Sequence, residues 1–242
     1  MISNITALAT CLSLLTCGIC SANQGPPKHI RVSFQYIEVT HPVLTEMLAA
    51  KDHGGPALHA KAIALAKQGK AKILETCMVV TRAGHKATVE SIRELIFPTE
   101  YQPPELQNSV PLTPEQRAAM APHPPVNPVF RSITAFETRN TGVTFEVKPT
   151  LGANDQIIDL RFVPEIVNLI RVDTWMEHTD PWGDASLRMP VLETWRVNTS
   201  VTLLDGQFEL VSVITPKPAA PAPAAARKIL VFVRADVLTL PP

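Results

Sequence analysis

Residues that could carry out catalysis or bind a metal do not form a recognisable site in this sequence. The seven histidines show no His-Glu-x-x-His pattern, and no two of them lie four residues apart near a carboxylate, as a helical zinc site requires. No Gly-x-Ser-x-Gly elbow presents a serine nucleophile. Cys77 lies in a predicted buried strand, where a thiol is usually inert. The sequence therefore predicts no catalytic residue, metal site or cofactor, and we expect the protein not to be an enzyme.

The composition narrows the functional classes further. The chain has 242 residues, a formal net charge of +0 and 45% hydrophobic residues, enough for one large domain or two modest ones. The balanced charge and the absence of a basic cluster interleaved with aromatics argue against nucleic-acid binding. The sequence contains 23 prolines and 10 glycines, which predicts long irregular connections between a few regular elements.

Residues 1–22 form an apolar run that resembles a Sec signal peptide and ends at the small residue Ala22. A short membrane anchor or a wrongly assigned start codon is the alternative, and lipidation at Cys17 is a further one. If the chain is cleaved after Ala22, Cys77 is its only thiol and no internal disulfide forms. No later segment has the roughly 20 apolar residues of a membrane-spanning helix, so membrane contact would need strands or an amphipathic segment.

Residues 30–96 predict a small α/β part. The run from Ile30 to Tyr36 alternates as a strand does, and Ile37 and Val39 then change faces as if across a bulge. Pro42 and Pro56 each lie where the first turn of a helix tolerates proline. After Pro56, apolar residues recur at helical spacing (Leu58, Ala62, Leu65 and Ala66), and Gly69 ends the predicted helix. Two further strands follow, separated by a turn at residues 83–84.

Residues 97–134 form a proline-rich insert without periodicity, which we interpret as a functional loop or a disordered segment. Residues 135–242 are predicted to be all β. In this part, residues 143–149 and 157–163 alternate around a turn at 152–155, and a last strand lies at 228–238 after a Pro/Ala tract.

The segment from Arg196 to Ile214 predicts an amphipathic hairpin that turns at Asp205 and Gly206, because an Asp-Gly pair suits a type I′ turn. In that register Leu203 faces Phe208, and one side of the hairpin is apolar. The residues of this apolar face are Val197, Val201, Leu203, Phe208, Leu210 and Ile214. Two environments fit such a hairpin: a protein core backed by water, or lipid backed by an aqueous lumen.

Five motifs in this order resemble the core domain of the secretins of type II and type III secretion systems and type IV pili. KQGKAKILETCMVVTRAGHKATVE is similar to the family's GxxKIL…T…G…A run, through Gly69, Lys72, Ile73, Leu74, Gly84 and Ala87. Residues 142–149 resemble its GVxLxVxPxI strand, and IIDLRFVPEIV resembles its IxLxIxxEV strand. Residues 196–207 resemble its hairpin that ends in Asp-Gly-Gln, and KILVFVRADVL its last strand. Together the motifs cover about residues 30–240.

This resemblance implies a mainly β fold with a small α+β N-terminal part, whose amphipathic antiparallel strands join an oligomeric β-barrel. It implies a homo-oligomeric ring in the outer membrane for protein secretion or transport, with membrane lipid as a partner and a pilotin or other secretion-system components as further ones. The predicted hairpin would then lie in the barrel wall. Trp175 and Trp182 fall where the family has its membrane-touching lip, and tryptophan suits a membrane interface.

The chain departs from the family pattern in ways that keep other functions open. Leu210 to Val213 replace the usual diglycine, and the short tract at 215–227 replaces a long gate segment. The periplasmic ring domains that precede the family's core are not seen here. A non-conducting periplasmic or outer-membrane scaffold with a secretin-derived fold is therefore the first alternative. An exported enzyme on an unrelated β scaffold is the second.

Overall fold

The computed structural model describes residues 28–49, 54–102, 113–115, 132–152, 154–177, 179–180, 183–184, 186–217 and 226–239. In chain order the elements are β1 (His29–Thr40), α1 (His41–Ala49), α2 (Gly55–Lys67), β2 (Lys72–Arg82), β3 (Ala87–Gln102), β4 (Ser132–Leu151), β5 (Ile157–Met176), β6 (Thr179–Asp180), β7 (Gly183–Asp184), β8 (Leu187–Arg196), β9 (Thr199–Leu204), β10 (Phe208–Ile214) and β11 (Arg227–Leu238). The predicted mainly β fold with a small helical part near its N-terminus is confirmed.

Several sequence predictions fall outside the described residues. They are the signal peptide at residues 1–22 with Cys17, the side chain of Trp182, most of the proline-rich insert and the middle of the Pro/Ala tract. The insert itself is shorter than predicted at both ends, because β3 runs on to Gln102 and β4 begins at Ser132. Pro98 is accommodated in β3, where the pairing with β4 becomes irregular after this residue.

Two antiparallel sheets build the body of the molecule. The first sheet has the strand order β10-β11-β1-β2, and the second has the order β3-β4-β5-β8, with β9 pairing the beginning of β5. β1 at the N-terminal end pairs along its whole length with β11 near the C-terminal end. The first sheet therefore combines strands from both predicted parts of the chain.

The main core lies between the two sheets. β1 alternates buried and partly exposed residues, as a strand with one covered face must. Phe34 on β1 contacts Phe145 on β4 and Phe162 on β5, with ring centroids 4.5 and 6.0 Å apart. Each of these rings is fully buried, and burial of such a side chain contributes about 1.5–3 kcal/mol.

A second core lies between the helices and the outer face of the first sheet. The pairing of β1 with β2 shifts between Tyr36 and Ile37, which confirms the predicted bulge and turns Ile37 and Val39 toward the helices. Leu58 and Ala62 of α2 pack there. α2 begins with proline in its first turn and is followed by Gly69 at φ 72°, as the sequence predicts.

One polar contact anchors α2 to the sheet. The His59 ring stacks on Phe208 of β10 at 3.7 Å, and its Nε2 lies 2.8 Å from Oε1 of Gln35. Arg234 lies over the same Phe208 ring at 5.6 Å from its centroid. Burial, with a smaller effect of the Arg234 charge, lowers the pKa of His59. The histidine is therefore held in its neutral form.

Candidate assembly and membrane surface

The two packed sheets with the main core between them form a sandwich. Two ribbons, each of two paired strands, extend beyond it. β4 pairs with β5 only as far as Gly142 and Val167. Beyond that point β4 pairs with β3, down to Ser132 opposite Gln102, and β5 pairs with β8, up to Met176 opposite Leu187. We call residues 92–102 with 132–142 the β3/β4 ribbon, and residues 167–176 with 187–194 the β5/β8 ribbon.

Gly142 marks the fork where the ribbons separate. Its φ is 121°, a conformation that L residues rarely adopt, and a Cβ there would lie 2.2 Å from the carbonyl oxygen of Ser91. The chain therefore needs glycine at this position to let β4 leave β5 while it stays paired with β3.

The ribbons carry large apolar side chains that are exposed in the single chain. Those on the β3/β4 ribbon are Ile92, Ile96, Ile133 and Phe136, and those on the β5/β8 ribbon are Leu169, Val172, Trp175 and Met176. Scattered exposed apolar residues are ordinary, but a cluster on two adjacent ribbons indicates a surface that another molecule or lipid covers.

Polarity changes along one face of the β3/β4 ribbon. Near the sandwich this face carries Thr88, Glu90 and Glu146, with Glu146 in an ion pair with Lys86 at 2.6 Å. From Ile92 onward the same face also carries Ile92, Ile96 and Phe136, with Glu94 and Asn140 between them. Large apolar side chains therefore join this face only from the fork onward, and they alternate there with polar ones.

Trp175 lies near the far end of β5 and is 70% exposed. The segment that contains it forms long strands and the small β6/β7 pair rather than a separate lip. Its position at a membrane interface stays a prediction.

The predicted hairpin from Arg196 to Ile214 is wrong in its pairing. β9 pairs with β5, with Leu203 opposite Ile158, and β10 pairs with β11, with Phe208 opposite Arg234. The two strands therefore belong to different sheets, and Leu203 does not face Phe208. Alternation predicted that Val201 and Leu203 share a face of β9. In β10 the register shifts between Leu210 and Ser212, so Ile214 does not share the face of Phe208 and Leu210. Alternation also could not identify the partner strands.

The predicted apolar face is divided between the two cores instead of lying in a barrel wall. Val197 and Leu203 are buried in the main core, and Val201 and Ile214 pack against it. Phe208 and Leu210 pack against the core under the helices. Of the two environments that the sequence allows, the protein core is the one found in the single chain.

Asp205 and Gly206 form a turn, as predicted, but the turn passes from one sheet to the other. Only Gly206 has a positive φ, at 74°, so the turn is not type I′. The Asp205 carboxylate accepts the amide of Val237 at 2.8 Å, and the Gly206 amide donates to Ala235 at 2.8 Å. The turn therefore ties β9 and β10 to the end of β11.

Each lateral side of the sandwich presents one edge strand from each sheet. β2 continues into β3 through a short turn, so these two edges lie on one side, and β9 and β10 lie on the other. Apolar side chains are exposed at both edges of the first sheet: Ile73, Met78 and Val80 on β2, and Val213 on β10. Exposed edges with apolar side chains are surfaces on which a further strand can pair.

A cleft of about 420 Å³ lies below the fork, between the ribbons and the end of the first sheet. Leu74, Val143 and Ile166 provide apolar lining, and charged groups that include Glu193 and Arg227 lie around them. Trp195 also lines it, and its indole nitrogen is buried without a hydrogen-bond partner.

Two partly or fully buried titratable side chains, Cys77 and Tyr36, have raised pKa values. Burial, and next Glu75, raises the pKa of Cys77 to about 11, so its thiol stays protonated near neutral pH. Burial also raises the pKa of Tyr36. Among the residues that the structure describes, no group of three His, Cys, Asp or Glu side chains could hold a metal ion. No helix in the same part of the chain is long and apolar enough to cross a membrane.

The sequence predictions missed the ribbons and the fork. The run from Ile92 to Ile96 carries apolar residues on the face opposite to the core, a signal that could have indicated a second apolar surface. The prolines that follow concealed the continuation of β3 to Gln102.

Solved structures similar to this chain are secretins. The secretin-domain β-barrel of InvG from the Salmonella SPI-1 injectisome aligns at 11% identity over 89% of this chain and 64% of that chain, with a TM-score of 0.43. Type II secretin GspD from enteropathogenic Escherichia coli aligns at 11% identity over 88% of this chain and 70% of that one, at 0.42. PilQ, the type IV competence pilus secretin of V. cholerae, aligns at 10% identity over 89% and 62%, at 0.39.

These are proteins of the kind that the sequence motifs resemble. The chain spans less than two thirds of the InvG and PilQ chains. No protein-family model and no curated protein matches the sequence. TM-scores of this size fix no correspondence between residues, so the functional conclusions are drawn from this chain's own strands and surfaces.

Proposed function

We propose that this chain is the subunit of a homo-oligomeric ring that forms a secretin-like channel in the outer membrane, for protein secretion or transport. The observation that carries the proposal is the presence, on each lateral side of the sandwich, of one unpaired edge from each sheet. Ring formation would extend both sheets from copy to copy.

Strand direction favours this arrangement. Every pairing from β10 through β11 and β1 to β2 is antiparallel, so the edge strands β10 and β2 run in opposite directions. The same holds for β3 and β9 in the second sheet. When β2 of one copy meets β10 of the next, the new pair is antiparallel, and β3 meets β9 in the same way. Such a head-to-tail contact closes into a ring if the rotation between copies permits it.

The surface of the ribbons supports contact with lipid. On the β3/β4 ribbon the exposed Ile92, Ile96 and Phe136 lie beyond Glu90 and Glu146 of the sandwich, as expected if the ribbons enter a bilayer and the sandwich stays in water. β8 has 10 residues, and a tilted membrane strand needs about 9–11. An unpaired ribbon edge would not be tolerated in lipid, so this proposal requires neighbouring copies to pair there.

The proposed location also requires export, for which the predicted signal peptide at residues 1–22 would serve. Pilotin binding and contact with other secretion-system components belong to the same proposal, because they follow from the family resemblance.

The first test is the size of the membrane-extracted protein. Envelopes are extracted with mild detergent and analysed on native gels without boiling. A very large heat-resistant species supports the ring, and planar-bilayer recording then separates a conducting channel from a non-conducting scaffold. A protein recovered only as a soluble monomer would refute the proposal.

The second test is Met78→Asp, which places a charge on the free edge of the first sheet. Met78 is 57% exposed in the single chain, so the substitution should leave its folding intact and prevent assembly. Ala60→Asp, on the exposed face of α2, is the matched control and should assemble normally. Equal assembly of the two variants would exclude this edge from the interface.

A further inference from the structure

Beyond the fork, the outer edges of the second sheet are β3 on one side and β8, which follows β9 along β5, on the other. β3 and β8 lie at opposite ends of the strand order β3-β4-β5-β8, yet they contact each other. At the far end of the ribbons, the Tyr101 hydroxyl donates a hydrogen bond to the carbonyl oxygen of Ser186 at 3.3 Å. The ribbons therefore curl so that their outer edges touch.

The contact between the ribbons does not continue the sheet. The pairings found for β3 are with β4, and those for β8 are with β5. The pairing of β4 with β5 ends at Gly142 and Val167, so residues 132–141 of β4 and 168–176 of β5 are not paired with each other. β3 and β8 therefore contact each other without backbone pairing.

A flat arrangement of the ribbons would leave long edges open. A two-stranded ribbon is marginally stable by itself, and an exposed strand edge pairs readily with other chains. The ribbons also carry exposed apolar side chains. Curling brings β3 and β8 together and makes their edges less accessible. This reduces pairing of these edges with other chains before a second copy of the protein is present.

We propose that the contact between β3 and β8 is a latch that masks the wall-forming edges of the single chain, and that assembly opens it so that these edges pair with a second copy. This inference rests on the proposed function. Opening would let β4 and β5 pair beyond the fork and would free β3 and β8 for the neighbouring copies. The latch should cost little to open, because a single hydrogen bond such as that of Tyr101 adds little net stability and β3 and β8 are not paired through their backbones.

The test restrains the latch covalently in the full-length chain. The four native cysteines are replaced by serine, and Tyr101→Cys and Ser186→Cys are introduced together. The purified monomer is treated with a bis-maleimide that contains a reducible disulfide, and intramolecular cross-linking is measured by mass. We expect efficient cross-linking, loss of assembly on outer-membrane lipid vesicles, and recovery of assembly after the linker is reduced.

The matched control places the same linker between β3 and β4 on the sandwich side of the fork. Thr88 and Glu146 lie directly opposite each other on β3 and β4, so Thr88→Cys with Glu146→Cys cross-links strands that stay paired in either state. This chain should assemble with the linker intact. In a second measurement, Tyr101→Phe removes the hydrogen bond and should speed assembly.

The outcomes distinguish this inference from the proposed function. If the cross-linked latch assembles as well as the unlinked chain, or if assembled rings still cross-link within each copy, the latch is refuted while the ring stands. If the unlinked chain never assembles, the proposed function fails and the latch fails with it.

Discussion

A disulfide between β9 and β5 tests the strand pairing that sequence reasoning got wrong. Asp159 and Thr202 lie directly opposite each other, and the Thr202 hydroxyl donates to the Asp159 carboxylate at 2.7 Å. Both side chains are exposed, so Asp159→Cys with Thr202→Cys disturbs no core packing. Directly opposed residues of antiparallel strands have Cβ atoms about 4.5–5.5 Å apart, close to the spacing that a disulfide needs.

The expected stabilisation follows from the loop that the bond closes. The two positions are 43 residues apart, and a loop of this length gives about 4 kcal/mol from lost chain entropy in the unfolded state. Loss of the exposed hydrogen bond subtracts about 1 kcal/mol. The oxidised protein should therefore be about 4 kcal/mol more stable to unfolding than its reduced form, which also lacks the hydrogen bond, and about 3 kcal/mol more stable than the parent chain.

The assay is urea unfolding followed by tryptophan fluorescence, with and without reductant, in a chain whose native cysteines are replaced by serine. The control pairs Thr202→Cys with Glu209→Cys, which a β9/β10 hairpin would place opposite each other. In the structure Glu209 lies opposite Val233 on β11, so this pair should stay reduced. Oxidation and stabilisation of the control pair, with none for the β9/β5 pair, would refute the pairing described here.

Three further predictions test the core, the helix anchor and the fork. Leu203 is 1% exposed and its neighbour Leu204 is 52% exposed. Leu203→Ala should therefore lower the free energy of unfolding by about 2–5 kcal/mol, and Leu204→Ala by about 0.5 kcal/mol or less. Equal losses in urea unfolding would contradict the assignment of Leu203 to the buried face of β9. Burial lowers the pKa of His59 from the ordinary value of 6.5, so the unfolded chain binds the proton more readily; stability should be full above pH 6.5 and fall below it. The slope of the urea midpoint between pH 7.5 and 5 should be smaller in His59→Gln, and an unchanged slope would show that His59 does not cause it. Gly142→Ala should destabilise the protein far more than Gly84→Ala. Both glycines have a positive φ, but of the two only Gly142 lacks room for a Cβ. Similar thermal midpoints for the two variants would show that the fork tolerates a side chain.

Local chemistry in the sequence was enough to predict most of the elements. Alternation predicted β1 with its bulge after Tyr36, and proline and glycine bracketed α2. Both signals act over a few residues, because side chains alternate across a strand and proline is tolerated only in a first helical turn. Cys77 was predicted to be buried and inert, and it is partly buried with a raised pKa.

Strand partners were decided only by the tertiary structure. The apolar residues of β9 and β10 have a buried face in either arrangement, and Asp205-Gly206 can turn within one sheet or between two. The preference depends on β5 and β11. Paired residues of β5 and β9 are 37 to 47 positions apart in the chain, and those of β10 and β11 are 15 to 26 positions apart. No local pattern reports such distant contacts.

The fork and its ribbons likewise depend on tertiary contacts. The sequence by itself indicated strands in β3 up to Ile96, at residues 143–149 of β4 and at residues 157–163 of β5, and the motifs indicated the family they resemble. It did not indicate β8, residues 97–102 of β3 or residues 132–142 of β4 as strands. Where β4 leaves β5 is decided by the close approach of Gly142 to Ser91, and the contact of β3 with β8 by how far the sheet curls. Sheet twist and curl accumulate over all the paired strands, so they are properties of the assembled sheet and cannot be read from any one segment.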